Sequence, residues 1–222
     1  MTVITISRQL GSGGDVIATH ICEQLNYRSF DKEMMVEAAA HAGLCEAEVI
    51  DFTEDRYKVQ DFISRLLRAR PRLVKEVMFR EEQHGEIETL TSRTLDEEDC
   101  VSLVRYTVER AHHEDNMVIV GRGGQAILRG KPNVLHVRII APEETRFQHL
   151  RAAGMSGISE IKLKIRDSDR ASAEYLKRFF NIDWDDSHLY DLVLNTGRID
   201  TLDAANIIIA AVRAIEKTAV QQ

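Results

Sequence analysis

The first fifteen residues, MTVITISRQLGSGGD (1–15), decide the fold of this chain. Residues 2–6 (TVITI) alternate and are rich in β-branched side chains, which is typical of a strand buried in a sheet. A helical pattern begins at Asp15, and between strand and helix lies a turn of small residues, Gly11, Ser12, Gly13 and Gly14. A glycine-rich turn before a helix N-terminus directs backbone N–H groups at an anion. The stretch therefore predicts a phosphate cradle; the alternative is a turn that only lets the helix pack closely on the strand.

The turn departs from the common P-loop, G-x-x-x-x-G-K-[ST], in the side chains that carry its charge. When Gly13 is aligned with the second glycine, Arg8 replaces the first glycine and Gly14 replaces the lysine. A transferring phosphoryl group still needs a cation, and Arg8 is the first candidate, with a structural salt bridge as its alternative role. Asp15 replaces the magnesium-binding Ser/Thr. It is predicted either to bind Mg²⁺ through its carboxylate or to cap the helix.

Length and charge limit the classes of function. The 222 residues are enough for one domain (1–222) with a sizeable core and an insertion. The chain has 29 Lys and Arg against 36 Asp and Glu, and its net charge of −7 argues against a general nucleic-acid binder. The sequence has no apolar run of about 18 residues for a membrane span. The three widely spaced cysteines and the absence of a signal-peptide pattern predict reduced thiols in a cytoplasmic protein.

Strand and helix patterns alternate along the rest of the chain. Further strands are predicted near 27–31, 117–120, 133–142 and 189–196, and helices near 143–154, 159–180 and 201–217. This alternation predicts an α/β fold in which a parallel sheet lies between two layers of helices. Ligands of such sheets collect at the carboxyl ends of the strands. Those ends carry the glycine turn, Asp31, residues 121–124 (GRGG), and Asn195 with Thr196.

A long helical region is predicted between the second and third strands. Helical patterns occur near 32–43, 46–52, 55–69, 72–82 and 98–113, whereas residues 84–99 are the least periodic and are predicted as a loop or a short hairpin. The region 32–113 offers a surface through which the chain would form a homodimer.

Four stretches together resemble the P-loop nucleoside-monophosphate kinases, and most closely their cytidylate-kinase-like branch. They are ITISRQLGSGGD (4–15), VIVGRGG (118–124), IRDSDR (165–170) and LYDLVLNT (189–196), and they follow one another along nearly the whole chain. The resemblance implies a three-layer α/β/α core, a helical acceptor-binding insertion at about 32–113 and a mobile basic lid at about 154–182. It also implies phosphoryl transfer from ATP, with Mg²⁺, to a nucleotide or a related small phosphate acceptor.

On the donor side, the resemblance assigns the cradle to ATP. The backbone of residues 11–15 would hold the β-phosphate, and Asn195 and Thr196 would lie near the adenine. The lid would close over the transferring group through Arg166 and Arg170, which are one helical turn apart. Trp184 and Tyr190, beyond the lid, are predicted to anchor it to the core rather than to stack on a base.

On the acceptor side, the resemblance assigns Asp31 and Arg122. Asp31 ends the second strand, and Arg122 resembles the arginine that grips the acceptor's phosphate. Cytidylate kinases proper have an aspartate after that arginine, where this chain has Gly123, so specificity for cytosine is not supported.

Two other classes of function remain as alternatives. A nucleotide-binding sensor or pseudo-kinase would explain the loss of both P-loop side chains, but it would leave Arg166 and Arg170 without a role. An interaction protein built on an inert α/β core would leave Arg8 and Arg122 unexplained as well.

Overall fold

A parallel sheet lies at the centre of the molecule. The structure is a computed structural model that describes residues 2–30, 76–77, 91–92 and 97–219. The sheet has five strands: β1 Val3–Arg8, β2 Arg28–Ser29, β5 Met117–Val120, β6 Val134–Ile140 and β7 Leu192–Asn195. Their order is β2-β5-β1-β6-β7, and every pair is parallel. Since β1 is central, the segment that follows it emerges between the ends of β5 and β6.

The described helices begin mostly where the sequence predicts. They are α1 Gly14–Leu25, α2 Glu97–His113, α3 Gly124–Ile127, α4 Glu143–Ala152, α5 Ile158–Phe180 and α6 Thr201–Ala219, with a short 3₁₀ turn at Ser187–Leu189. Of these described helices, none has both the length and the hydropathy needed to cross a membrane.

The two faces of the sheet differ in character. Ile4 and Ile6 point to one face, where they pack in a fully apolar cluster with α1 and α6. Thr5 and Ser7 point to the other face, where a Cβ on Gly124 at the start of α3 would lie 3.1 Å from Thr5 Cγ2. Helices therefore cover both faces, and the predicted three-layer α/β fold with a parallel sheet is confirmed.

One predicted helix is wrong in part. Glu76–Val77, inside the helix predicted at 72–82, is a strand (β3) paired antiparallel with β4, Thr91–Ser92. Pairing with a distant segment overrides a local helical pattern, because strand formation depends on the partner. The strand Thr91–Ser92 lies within 84–99, but its partner lies outside that range, so the loop and hairpin alternatives for 84–99 stay predictions. The other helices predicted between 32 and 96, and Asp31, lie outside the described residues.

The chain divides into two compact units. One comprises Met1–Phe30 and Val108–Gln222, and the other comprises Asp31–Thr107. The first unit contains the whole parallel sheet and the glycine turn.

Candidate functional site

The glycine turn after β1 is held in place by residues that follow β6 and β7, the two strands on one side of β1. Within the turn, the backbone N–H and the hydroxyl of Ser12 both donate to the carbonyl of Gln9, at 3.1 and 2.7 Å. The Gln9 amide oxygen accepts from the backbone N–H of Ala141, just past β6, at 3.0 Å. The hydroxyl of Thr196, just past β7, donates to the carbonyl of Ser12 at 2.7 Å. Four hydrogen bonds, two of them to residues just past β6 and β7, therefore hold the turn in this conformation.

Two glycines of the turn are required by the fold itself. Gly11 has φ +78°, and a Cβ there would lie 2.8 Å from the carbonyl oxygen of Arg146 on α4. Gly13 has φ +81°, and a Cβ there would lie 2.6 Å from Thr201 Cγ2. A bulky β-branched residue at position 13 is therefore expected to disturb the fold as well as any binding. Because packing alone explains these glycines, they do not indicate a ligand site, and the charged residues around the turn are more informative.

The start of α1 offers backbone donors. Gly13 is the N-cap residue, and in this fully described segment no side chain caps the helix. The first N–H groups of a helix have no partner within it, so they are available to an acceptor. Asp15 lies inside the first turn and not at the cap, so the predicted N-cap role for Asp15 is wrong.

Arg8 and Asp15 form an ion pair at the mouth of the turn. Arg8 Nε donates to Asp15 Oδ1 at 3.1 Å, and the side chains are 18% and 74% exposed. The salt bridge predicted as the alternative role of Arg8 is therefore present. Its partner is largely in water, where such a pair contributes little to stability.

Arg122 lies at the end of the neighbouring strand, β5. It takes a left-handed φ of +55°, rare for a residue with a side chain, and its guanidinium lies 4.9 Å from the centre of the Phe30 ring. Burial, together with the nearby positive charge of Arg8, lowers the pKa of Arg122 to about 10. Arg122 is still positively charged at neutral pH.

The two arginines converge on the GRGG turn. Arg8 Nη1 lies 3.2 Å from the position that a Cβ on Gly121 would occupy, one residue before Arg122. In addition to burial, the positive charge of Arg8 lowers the pKa of Arg122, so the two groups repel each other, and a bound anion would relieve that repulsion. Guanidinium groups bind phosphate oxygens through strong, charge-assisted and often paired hydrogen bonds. The juxtaposition of Arg8 and Arg122 is therefore the strongest sign of a phosphate site in the described residues.

Sequence patterns did not reveal the hydrogen bonds that connect the glycine turn to α4 and α4 to α5. His149 on α4 donates from Nδ1 to the carbonyl of Gly11 at 2.8 Å. Arg146, whose side chain is 7% exposed, makes two hydrogen bonds to Asp169 on α5, at 2.9 and 2.8 Å. These residues are polar positions on helices, and no local signal distinguishes them from solvent-exposed polar residues.

A second buried arginine fixes the segment after α5. Arg138 on β6 donates to the carbonyl of Trp184, and its guanidinium lies 4.2 Å from the centre of that indole ring. It also donates to Asp185 at 2.5 Å and to the Tyr190 hydroxyl at 3.2 Å. Trp184 Nε1 donates to the hydroxyl of Ser7 on β1 at 2.8 Å. As predicted, Trp184 and Tyr190 anchor this segment to the core.

Known proteins similar to this chain identify its family. The sequence profile of the cytidylate kinase-like family matches residues 3–198. The chain belongs to the cytidylate kinase-like family. It is similar to the cytidylate kinase of Archaeoglobus fulgidus, with 23% identity over 220 residues that cover 99% of this chain and 98% of that protein. It is also 28% identical over 100 residues to the cytidylate kinase of Methanothermobacter thermautotrophicus, a match that spans 45% of this chain and 60% of the relative.

A solved structure shows the same fold. An uncharacterized protein from Eubacterium ventriosum ATCC 27560 aligns with a TM-score of 0.61 and 20% identity, over 96% of this chain and 99% of that one.

In this member of the cytidylate kinase-like family, the other predicted site residues lie as follows. Arg166 and Arg170 are both exposed on α5, and Arg166 Nε donates to the carbonyl of Lys162 at 3.4 Å. Thr196 braces the turn, whereas the Asn195 side chain accepts from the backbone N–H of Gly197 at 3.0 Å. Among the described residues, no group of three or more His, Cys, Asp or Glu side chains converges as a metal site.

Proposed function

We propose that the protein transfers the terminal phosphoryl group of ATP, with Mg²⁺, to a nucleotide or a related small phosphate acceptor. Membership in the cytidylate kinase-like family supports phosphoryl transfer as the class of reaction. The observation that carries the proposal is the convergence of Arg8 and Arg122 at the ends of adjacent strands. Phosphoryl transfer needs positioning and positive charge around the transferring oxygens more than covalent participation, and two fixed guanidinium groups supply that charge.

The two arginines divide the site into a donor side and an acceptor side. Arg8 is the last residue of β1 and contacts the start of α1, so we assign it to the phosphates of ATP, with the backbone of residues 11–15. Arg122 follows β5, so we assign it to the phosphate of the acceptor, the side to which the resemblance also assigns Asp31. Asn195 and Thr196 would border the adenine, and Arg166 and Arg170 would close over the transferring group.

Asp15 fits the role of a magnesium ligand. Its carboxylate is 74% exposed beside the N-terminus of α1, and Mg²⁺ commonly uses one or two carboxylates together with phosphate oxygens. A site of this kind needs no cluster of protein ligands. Mg²⁺, when bound, supplies positive charge that offsets the repulsion between Asp15 and the phosphates. The Arg8–Asp15 pair would then open, which leaves Arg8 to face the phosphates alone.

The test has a binding arm and a turnover arm. Thermal unfolding is followed with nucleoside mono-, di- and triphosphates, each with and without Mg²⁺. A ligand at 100 times its Kd stabilises the folded state by about 2.7 kcal/mol, which gives a clear shift. Turnover is followed as ADP formed from ATP for each candidate acceptor. Arg129, which lies before β6 and is exposed, supplies a control variant, Arg129→Gly.

The outcomes separate the proposal from its rival. Stabilisation by ATP with Mg²⁺ and acceptor-dependent ADP formation support the kinase. Stabilisation without transfer to any acceptor supports the nucleotide sensor instead. A protein that no nucleotide stabilises contradicts both.

A further inference from the structure

The side chain of Arg8 fills the space that a side chain at position 14 would need. A Cβ on Gly14 would lie 2.7 Å from Arg8 Cβ, 2.9 Å from its Cγ and 3.4 Å from its Cδ. Arg8 Cβ is bonded directly to the backbone, so no side-chain rotation of Arg8 removes the contact at 2.7 Å. Gly14 is helical and has no left-handed φ to explain it. Contact with Arg8 is therefore the reason that this residue is glycine.

Positions 8 and 14 are also the two at which the turn departs from the common P-loop. That motif has glycine at the first position and lysine six residues later. This chain has arginine first, at Arg8, and glycine six residues later, at Gly14. The structure shows that the two positions share one space, which accommodates a side chain from the strand or from the helix but not from both.

We infer that Arg8 and Gly14 have exchanged roles: the cation that binds the donor phosphates comes from the end of β1, and Gly14 lacks a side chain to make room for it. This inference rests on the proposed function, because it names the phosphate-binding cation of that same site. It differs from the mere presence of a nearby arginine, since it requires the two positions to change together.

The exchange also alters which phosphates the cation reaches. Arg8 Nε is bonded to Asp15 at the donor turn, while Nη1 lies 3.2 Å from the position of a Cβ on Gly121. The planar guanidinium presents several donors in a fixed fork, whereas a lysine presents one point charge. Arg8 is thus placed to bind donor oxygens on one edge and to approach the acceptor side, next to Arg122, with the other.

The steric half of the inference is tested by Gly14→Ala in two backgrounds. In the wild-type background, the added Cβ meets Arg8 and is expected to lower the melting temperature. In the Arg8→Gly background the space is empty, and Gly14→Ala is expected to raise the melting temperature, since alanine is the better helix former. The same sign in both backgrounds overturns the shared space, whatever the protein binds.

The charge half is tested by Arg8→Gly, by Arg8→Gly combined with Gly14→Lys, and by Arg129→Gly as the matched arginine control. Arg8→Gly is expected to weaken binding of ATP with Mg²⁺ by about 10- to 100-fold, the usual effect of losing a charge-assisted contact. The double variant, which carries the common motif at both positions, is expected to regain most of that affinity. Arg129→Gly is expected to bind as the wild type does.

The outcomes distinguish this inference from the proposed function. If the wild-type protein binds no nucleotide, both fail. If the wild type binds and the double variant is no better than Arg8→Gly, the exchange of roles fails and the proposed function stands. Recovery in the double variant, with the sign reversal of Gly14→Ala, supports the exchange.

Discussion

The guanidinium of Arg146 makes two parallel hydrogen bonds to the carboxylate of Asp169, at 2.9 and 2.8 Å, and so joins α4 to α5. The backbone of Arg146 also packs against Gly11, since a Cβ on that glycine would lie 2.8 Å from the Arg146 carbonyl oxygen. One residue therefore contacts the glycine turn through its backbone and the basic helix through its side chain. The placement of α5 depends on this pair.

Removal of Asp169 is expected to destabilise the fold. Asp169→Ala leaves a guanidinium that is 7% exposed without its counter-charge, and loss of one partner of a fully buried pair costs about 3–5 kcal/mol. Because Asp169 is itself 26% exposed, we expect about 2–3 kcal/mol. Urea unfolding measures the change, with Glu174→Ala, an exposed acid on the same helix, as control. An equal effect of both variants would refute a structural role for the pair.

Arg122→Gly is expected to weaken binding of the acceptor rather than binding of ATP. Glycine adopts the φ of +55° at this position without strain, so the turn should keep its shape when the guanidinium is lost. Loss of a charge-assisted contact to phosphate corresponds to an increase of about 10- to 100-fold in the KM of the acceptor. Steady-state kinetics with each substrate varied in turn gives the two KM values. Equal increases for ATP and acceptor would show that the two sides are wrongly assigned.

Thr196→Val is expected to loosen the glycine turn. The buried Thr196 hydroxyl donates to the Ser12 carbonyl at 2.7 Å, and valine has the same shape without the donor. Loss of this bond should lower the free energy of unfolding by about 1–3 kcal/mol, since the Ser12 carbonyl loses its hydrogen bond from Thr196. ATP affinity should fall as well, because the turn is no longer held in one conformation. Thr19→Val, which removes an exposed hydroxyl bonded to the Asp15 carbonyl, is the matched control; an equal loss there would contradict the prediction.

Acidification is expected to destabilise the protein through His136. Burial lowers the pKa of His136, partly opposed by the charge of Asp191, so the unfolded chain takes up a proton more readily than the folded one. The Thr5 hydroxyl lies 2.7 Å from Nδ1 and donates to it only while that nitrogen carries no proton. The stability that neutral His136 contributes is therefore complete above about pH 6.5 and is lost as the pH falls below that value.

Urea unfolding of the wild type and of His136→Asn at about pH 7.5 and pH 5.5 measures this effect. The variant has no group that titrates in that range at this position, so its free energy of unfolding should fall less between the two pH values. The same pH dependence in both proteins would assign the acid sensitivity to other groups.

Several features could be predicted from the sequence because the signals for them are local. The β-branched residues before the glycine turn, the apolar face of the helix after it and the alternation of later strands and helices each depend on neighbours in the chain. The strand positions then indicate which residues lie at carboxyl ends, among them the turn that contains Arg122, and comparison of the glycine turn with the P-loop motif singles out Arg8. The strand at Glu76–Val77 was missed because its partner, Thr91–Ser92, is distant in the chain.

The sequence by itself therefore determined the α/β fold, the glycine turn and the arginines near it. Only the tertiary structure decided that the stem of Arg8 occupies the space above Gly14, that Arg8 approaches the turn of Arg122, and that Arg146 pairs with Asp169. Each of these contacts joins residues on different elements, and the order β2-β5-β1-β6-β7 sets which elements meet. That order follows from burial of the sheet between its helices, a sum of many long-range contacts that no short stretch of sequence encodes.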